Sequence, residues 1–140
     1  MAGSRLSRES VLRSEQTYEA WHFAEATVVG NAIWVSGQRG YDSNDDIPED
    51  PDEQARIAFR NIESVLKQAG AGLDDIVSMT SYHIDINDVA GFRKVKDEFI
   101  ATPYPSWTIV GVAALADPAM RVEVAALAVI GSGVDARVRR

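Results

Sequence analysis

The chain has 140 residues, of which 46% are hydrophobic and 25% charged, a composition typical of one globular domain with a packed core. The absence of cysteine excludes disulfide frameworks, thiolate catalysis and cysteine-bound metals, and no apolar run is long enough to span a bilayer. We expect a cytoplasmic protein with a basic N-terminal arm (1–13), one domain (14–134) and a basic C-terminal tail (135–140).

The net charge of −7 is unevenly distributed along the chain. Arginines are concentrated in the two tails, whereas residues 14–134 hold 8 basic and 19 acidic residues, a net charge near −11. An acidic surface repels phosphate backbones, so the domain is not expected to bind nucleic acid, and the tails are expected to be solubilising extensions. No membrane partner is expected.

The first predicted element is a β-hairpin. Two apolar runs, 25–29 and 31–36, are joined at Gly30-Asn31, a pair that suits a tight turn with positive φ. Residues 40–49 combine glycine, aspartate, serine, asparagine and proline without periodicity, which predicts a loop.

A helix is predicted next, because its start and stop signals are clear. Asp50 is the expected N-cap, Pro51 the first helical residue, and Glu53 the partner of Asp50 in a capping box, while Gly70 ends the helix. One face of this helix is apolar, so it is expected to pack on a flat surface. The apolar positions are Ala55, Ala58, Ile62, Val65, Leu66 and Ala69.

A second strand–helix unit and two further strands complete the prediction. Residues 76–86 alternate as a strand does, and Asn87 or Asp88 is expected to cap the second helix. Two apolar strands follow at 107–115 and 120–130. The order ββαβαββ predicts a two-layer α/β sandwich with one sheet face left uncovered, and a partly apolar open face predicts an oligomer.

Several short strings occur in the order and spacing of one known family. They are Val35-Ser36-Gly37-Gln38, Gln54-Ala55-Arg56, Asn61-Ile62, Asp75-Ile76-Val77, Asp85-Ile86-Asn87-Asp88, Tyr104-Pro105-Ser106, and the run from Arg121 to Ala128. With these strings the chain resembles the RidA (YjgF, endoribonuclease L-PSP) family over 17–130. The resemblance implies a chorismate-mutase-like subunit and a homotrimer with a central barrel and three clefts between neighbouring subunits.

The departures from the family pattern concern the ligand cleft. Deaminating members carry an arginine that grips the substrate carboxylate where this chain has Trp107, and often a cysteine where it has Ile109. The helix asparagine and tyrosine are replaced by Arg93 and Lys96. The chain therefore resembles a divergent branch that lacks the substrate-binding arginine. Since an indole stacks where a guanidinium binds carboxylates, the expected ligand is neutral, aromatic or cationic.

The resemblance leaves Glu123 as the expected catalytic residue, which positions a water molecule. Arg121 is two residues away and is expected to reach Glu123, either within a ligand cleft or as a structural ion pair at a subunit interface. Tyr18, Trp21 and His22 form the expected entry to the cleft. The predicted ligand-binding set is Tyr18, Trp21, His22, Arg93, Trp107, Ile109 and Arg121.

No signal for a metal or cofactor is present. His22 and His83 do not have the spacing of a metal pair, and the acidic run 42–53 has Ile47 where a calcium loop needs glycine. No nucleotide-binding string occurs, so no cofactor is expected. The favoured function is a RidA-like protein that binds a small molecule and acts as an enamine or imine deaminase without the usual arginine. A non-catalytic binding or scaffold protein and an L-PSP-like endoribonuclease remain the alternatives.

Overall fold

The computed structural model describes residues 6–140, so residues 1–5 of the predicted arm lie outside the described residues. Its elements are β1 Glu9–Val11, α1 Glu15–Trp21, β2 Ala26–Val29, β3 Ala32–Arg39, α2 Pro51–Gln68, β4 Ile76–His83, α3 Val89–Phe99, β5 Ser106–Gly111 and β6 Val122–Val129. The predicted order from the hairpin onward is confirmed. Two elements, β1 and α1, were not predicted from the sequence, and β1 lies inside the predicted N-terminal arm.

The strands form one sheet of six in the order β1-β2-β3-β6-β4-β5. All neighbours are antiparallel except β4 and β5, which are parallel and joined through α3. Gly30 has a φ of 58°, as the predicted tight turn between β2 and β3 requires. None of the helices within residues 6–140 is long and apolar enough to cross a membrane.

Both predicted N-cap positions are confirmed, but the side-chain hydrogen bonds at the two helix starts differ from those expected. Asp50 does cap α2, but its side chain accepts from the Asp52 backbone N–H, and the capping box with Glu53 does not form because Glu53 pairs with Arg56 at 3.1 Å. Asp88 holds the N-cap position of α3, but its side chain makes no capping hydrogen bond, and the 3₁₀ turn Ile86–Asp88 before the helix is capped by Asp85. Turn hydrogen bonds of this kind depend on local backbone geometry that a residue pattern does not specify.

The core lies between the sheet and the two long helices. Buried β6 residues alternate with half-buried ones, and Phe59 of α2 is completely buried with its ring 5.6 Å from Phe92 of α3. Neither long helix reaches the opposite side of the sheet, which we call the open face. Its residues on the central strands, assigned from strand register and alternation, are Trp34, Arg39, Thr80, Tyr82, Glu123, Ala125 and Leu127.

Candidate functional site

Glu123 occupies the middle of the open face. It lies on β6, and its two chain neighbours, Val122 and Val124, are buried on the helix side, so the Glu123 side chain points the other way. In the sheet register Glu123 pairs with Arg39 of β3 on one side and with Tyr82 of β4 on the other. A carboxylate is therefore flanked by a guanidinium-bearing and a phenol-bearing residue.

Gly37 makes room for the Glu123 side chain. The register of β3 shifts between Val35 and Gln38, and Gly37 lies at that shift. A Cβ atom at Gly37 would overlap the Glu123 carboxylate and would lie 3.0 Å from its Cγ. A side chain at Gly37 would push the Glu123 carboxylate out of this position. The family string Val35-Ser36-Gly37-Gln38 marked this part of β3 in the sequence, but it did not show that Gly37 lies against the Glu123 side chain.

Arg121 does not reach Glu123, so that prediction is wrong. Its Nη2 donates to Asp88 Oδ2 at 2.8 Å, and its backbone N–H donates to Gln54 Oε1 at 2.8 Å. Both interactions anchor the start of β6 to the two helices. Asp88 could not be predicted as a competing partner of Arg121, because the turn before α3 meets β6 only in the tertiary structure.

Arg39 is the arginine that the sheet places beside Glu123. It is the register partner of Glu123, and its guanidinium carbon lies 5.2 Å from the centre of the Tyr41 ring. Arg93, by contrast, is exposed on α3. Neighbouring residues in an antiparallel register have Cβ atoms only about 5 Å apart.

Trp107 lies on the opposite side of the sheet from Glu123. It is the register partner of the buried Met79, its ring centre is 5.6 Å from Phe92, and its Nε1 donates to Ser81 Oγ at 2.8 Å. Ile109, which follows on the same side of β5, is 42% exposed. Within one subunit, neither residue meets Glu123.

Lys96 places a buried cation next to Trp107. The residue is 5% exposed, and its ammonium lies 5.2 Å from the Trp107 ring centre and 5.0 Å from that of Tyr104. Its charge is also paired with Asp97 at 3.3 Å. Contact with two aromatic faces favours a partly desolvated ammonium. From the sequence, Lys96 was recognised only as a replacement of the family's tyrosine, and its burial was not predicted.

His83 belongs to the same buried region. Its Nε2 is 2.8 Å from Ser81 Oγ, and its ring stands edge-on to Phe92. Burial lowers the pKa of His83, which favours the neutral imidazole. His83 is completely buried on β4. No cluster of three metal-ligating side chains occurs in the part of the chain that the structure describes.

The predicted entry segment forms α1. Ser14 caps this helix, and His22 ends it with a φ of 59°. Tyr18 and Trp21 are exposed, and Trp21 lines a surface groove together with Arg39. Of the predicted entry residues, Trp21 is thus the one that shares a groove with a neighbour of Glu123.

The fold and the Glu123 site define a class of small α/β proteins that carry a carboxylate on an open sheet face. Comparison with known proteins shows which family this class corresponds to. Residues 14–130 match the family described as Endoribonuclease L-PSP. The chain therefore belongs to this family, which includes the RidA and YjgF proteins, and the resemblance seen in the sequence is confirmed.

Individual relatives agree with this assignment. The RutC family protein YjgH of Escherichia coli K12 is 42% identical over 103 residues, which cover 71% of this chain and 77% of that protein. A 2-iminobutanoate/2-iminopropanoate deaminase of Dermatophagoides farinae is 33% identical, with coverages of 77% and 85%. A crystal structure of a YjgF/YER057c/UK114 family member from Mycobacterium tuberculosis superposes with a TM-score of 0.79 at 31% identity, covering 89% of this chain and all of that one.

Proposed function

We propose that this protein binds a small imine or enamine at Glu123, in clefts between the subunits of a homotrimer, and hydrolyses it to a carbonyl compound and ammonia. The position of Glu123 carries the proposal: a carboxylate on the open face, flanked by Tyr82 and Arg39 and held by close contact with Gly37. Relatives named as imine deaminases support the reaction type.

Glu123 has the chemistry for this reaction. Its carboxylate takes a proton from water while the water oxygen attacks the carbon of the C=N bond, which yields a tetrahedral carbinolamine. The nitrogen takes up the proton that Glu123 removed from water and then the proton of the new hydroxyl group, so that the C–N bond breaks, ammonia leaves and the oxygen forms the C=O bond. An enamine first becomes an imine by protonation at carbon. No metal or redox cofactor is needed for the atoms and electrons to balance.

The proposed ligand is neutral or aromatic. Trp107 replaces the arginine that the family uses for the substrate carboxylate. Its indole already donates a hydrogen bond to Ser81 and packs against Phe92. The open face offers flat rings instead, in Tyr82 and in Trp34, which is 49% exposed. Such rings favour stacking and dispersion over the binding of an anion.

Removal of the Glu123 charge tests catalysis. Glu123→Gln is expected to lower the turnover of a neutral enamine by about 10²- to 10⁴-fold, because the general base is lost. Gly37→Ala displaces the Glu123 side chain and is expected to lower turnover by about tenfold or more, since small misplacements of catalytic groups are costly. The measurement is ammonia release in a coupled assay.

The matched control is Gly111→Ala. Gly111 also lies on a strand, but a Cβ there meets nothing within 4 Å, so turnover should not change. Unchanged turnover in Glu123→Gln contradicts the proposed role of Glu123. Saturable binding of the enamine without ammonia release would favour the non-catalytic alternative.

The trimer is expected because the open face is partly apolar. Trp34 and Leu127 pair across β3 and β6 on this face. An apolar sheet face of this kind is normally covered by another layer or another subunit. Light scattering should therefore give about three times the chain mass of 15.3 kDa. Trp34→Asp is expected to shift the protein towards smaller species, and a wild-type particle of one chain mass would refute the trimer.

A further inference from the structure

A second cavity lies on the helix side of the sheet. Its volume is about 400 Å³, it opens to solvent, and its walls are α2, the segment between β1 and α1, and the loop after β3. This volume is in the range of small-molecule sites. Because α2 covers the sheet face opposite to Glu123, the cavity is separate from the Glu123 site.

Glu25 supplies a buried negative charge to this cavity. The residue is only 7% exposed, and its Oε2 accepts a hydrogen bond from Gln38 Nε2 at 2.8 Å. Its Oε1 accepts no hydrogen bond from the side chains or backbone of residues 6–140. Within residues 6–140, His83 Nδ1 is the one side-chain atom that is both fully buried and without a hydrogen-bond partner. Because Glu25 Oε1 also has no partner there, it must be partly accessible, and we assign this accessible surface to the cavity that Glu25 lines.

A carboxylate in this position is incomplete without a donor. Burial of a charge is costly unless hydrogen bonds replace those of water. An ammonium group is the strongest small partner for a carboxylate oxygen, because the hydrogen bond is charge-assisted. An Oε1 atom that has no donor among residues 6–140 therefore favours a ligand with an ammonium group.

Positive charge lies at the mouth of the same cavity. The Arg60 side chain is 59% exposed, and its Nη1 is 3.8 Å from Glu53 Oε1, which is too long for a hydrogen bond. The Arg13 side chain also lines the cavity, is 46% exposed and forms an ion pair with Asp45 at 3.1 Å. The charged groups that face the cavity are therefore the buried Glu25 and, nearer the solvent, Arg60, Arg13 and Asp42.

We infer that this cavity binds a small zwitterion of amino-acid size, with its ammonium group on Glu25 and its anionic group towards Arg60. Asn61 and Ser64 provide polar atoms along the walls, and Ile57 and Val65 provide apolar contact for a short side chain. The inference is independent of the reaction proposed at Glu123, because the two places lie on opposite sides of the sheet.

Calorimetric titration of the full chain with L-amino acids tests this site. At least one amino acid is expected to bind, and n-butylamine and butyrate, which carry one charge each, are expected to bind about tenfold or more weakly. Glu25→Gln keeps the side-chain volume and is expected to weaken binding by about tenfold or more. Ser64→Trp fills the cavity from an exposed position and is expected to abolish binding even if Glu25→Gln fails to fold.

The control variants are Glu63→Gln and Lys67→Trp. Both residues are exposed on α2 and do not line the cavity, so affinity should not change. The inference is overturned if no amino acid binds, or if binding survives both Glu25→Gln and Ser64→Trp. Binding that is lost in Glu123→Gln but kept in Glu25→Gln would assign the ligand to the Glu123 site instead.

Discussion

Trp107→Arg should unfold at a temperature about 10 °C or more below that of the parent, which corresponds to about 3–5 kcal/mol. The new guanidinium would lie in the space of the indole, close to the buried ammonium of Lys96, which now stands 5.2 Å from the Trp107 ring. The hydrogen bond to Ser81 and the contact with Phe92 would be lost as well. A thermal melt, with a deaminase assay beside it, measures both consequences.

Two variants isolate the cause. Trp21→Arg changes an indole that is 74% exposed and should shift the free energy of unfolding by only about 0.5 kcal/mol. Trp107→Arg combined with Lys96→Met removes the like-charge repulsion and should recover part of the lost stability. A Trp107→Arg protein that is as stable as the parent and hydrolyses imines would show that only the anchor was lost from an otherwise intact site.

Hydrolysis of 2-iminopropanoate should be about 30- to several-thousand-fold slower than in an arginine-bearing family member. The loss of a charge-assisted, bidentate contact to the substrate carboxylate costs about 2–5 kcal/mol. Trp107 supplies no cation, and Arg121 is held by Asp88. A coupled keto-acid assay on both proteins gives the ratio.

Any residual hydrolysis of 2-iminopropanoate is expected to depend on Arg39. As the register partner of Glu123, it is the arginine best placed to hold a carboxylate at the open face. Arg39→Gln should then remove the residual turnover of 2-iminopropanoate, whereas Arg93→Gln, an exposed arginine of α3, should not. Rapid turnover that persists in Arg39→Gln would contradict both the predicted slow reaction and this anchor.

The candidate site could be predicted only in part. Alternation around Val122 and Val124 placed Glu123 on the outer face of its strand, and the structure agrees. The same alternation suggested an ion pair between Glu123 and Arg121, which the structure contradicts. The Arg121 guanidinium binds whichever carboxylate the fold brings closest, and that carboxylate is not the one two residues away in the chain. It is the carboxylate of Asp88, at 2.8 Å.

Other parts of the site depend on register between distant strands. The pairing of Arg39 with Glu123 follows from the shift in β3, and the placement of Trp107 over Ser81 follows from the parallel pairing of β4 and β5. Neither pairing leaves a pattern in the sequence, because register is set by the contacts of whole strands. The burial of Lys96 likewise depends on tertiary packing, because the rings of Tyr104 and Trp107 cover its ammonium group.

The sequence by itself determined the elements from β2 to β6, the helix that begins at Pro51, the apolar face of each long helix and the family. These follow from local periodicity, turn residues and short strings, which a chain carries in every conformation. Only the tertiary structure decided which charges meet, that Trp107 and Glu123 lie on opposite faces, and that Glu25 lines a cavity. The reason is physical: burial, ion pairing and cavity shape arise between residues far apart in the chain, and they exist only when the layers have packed.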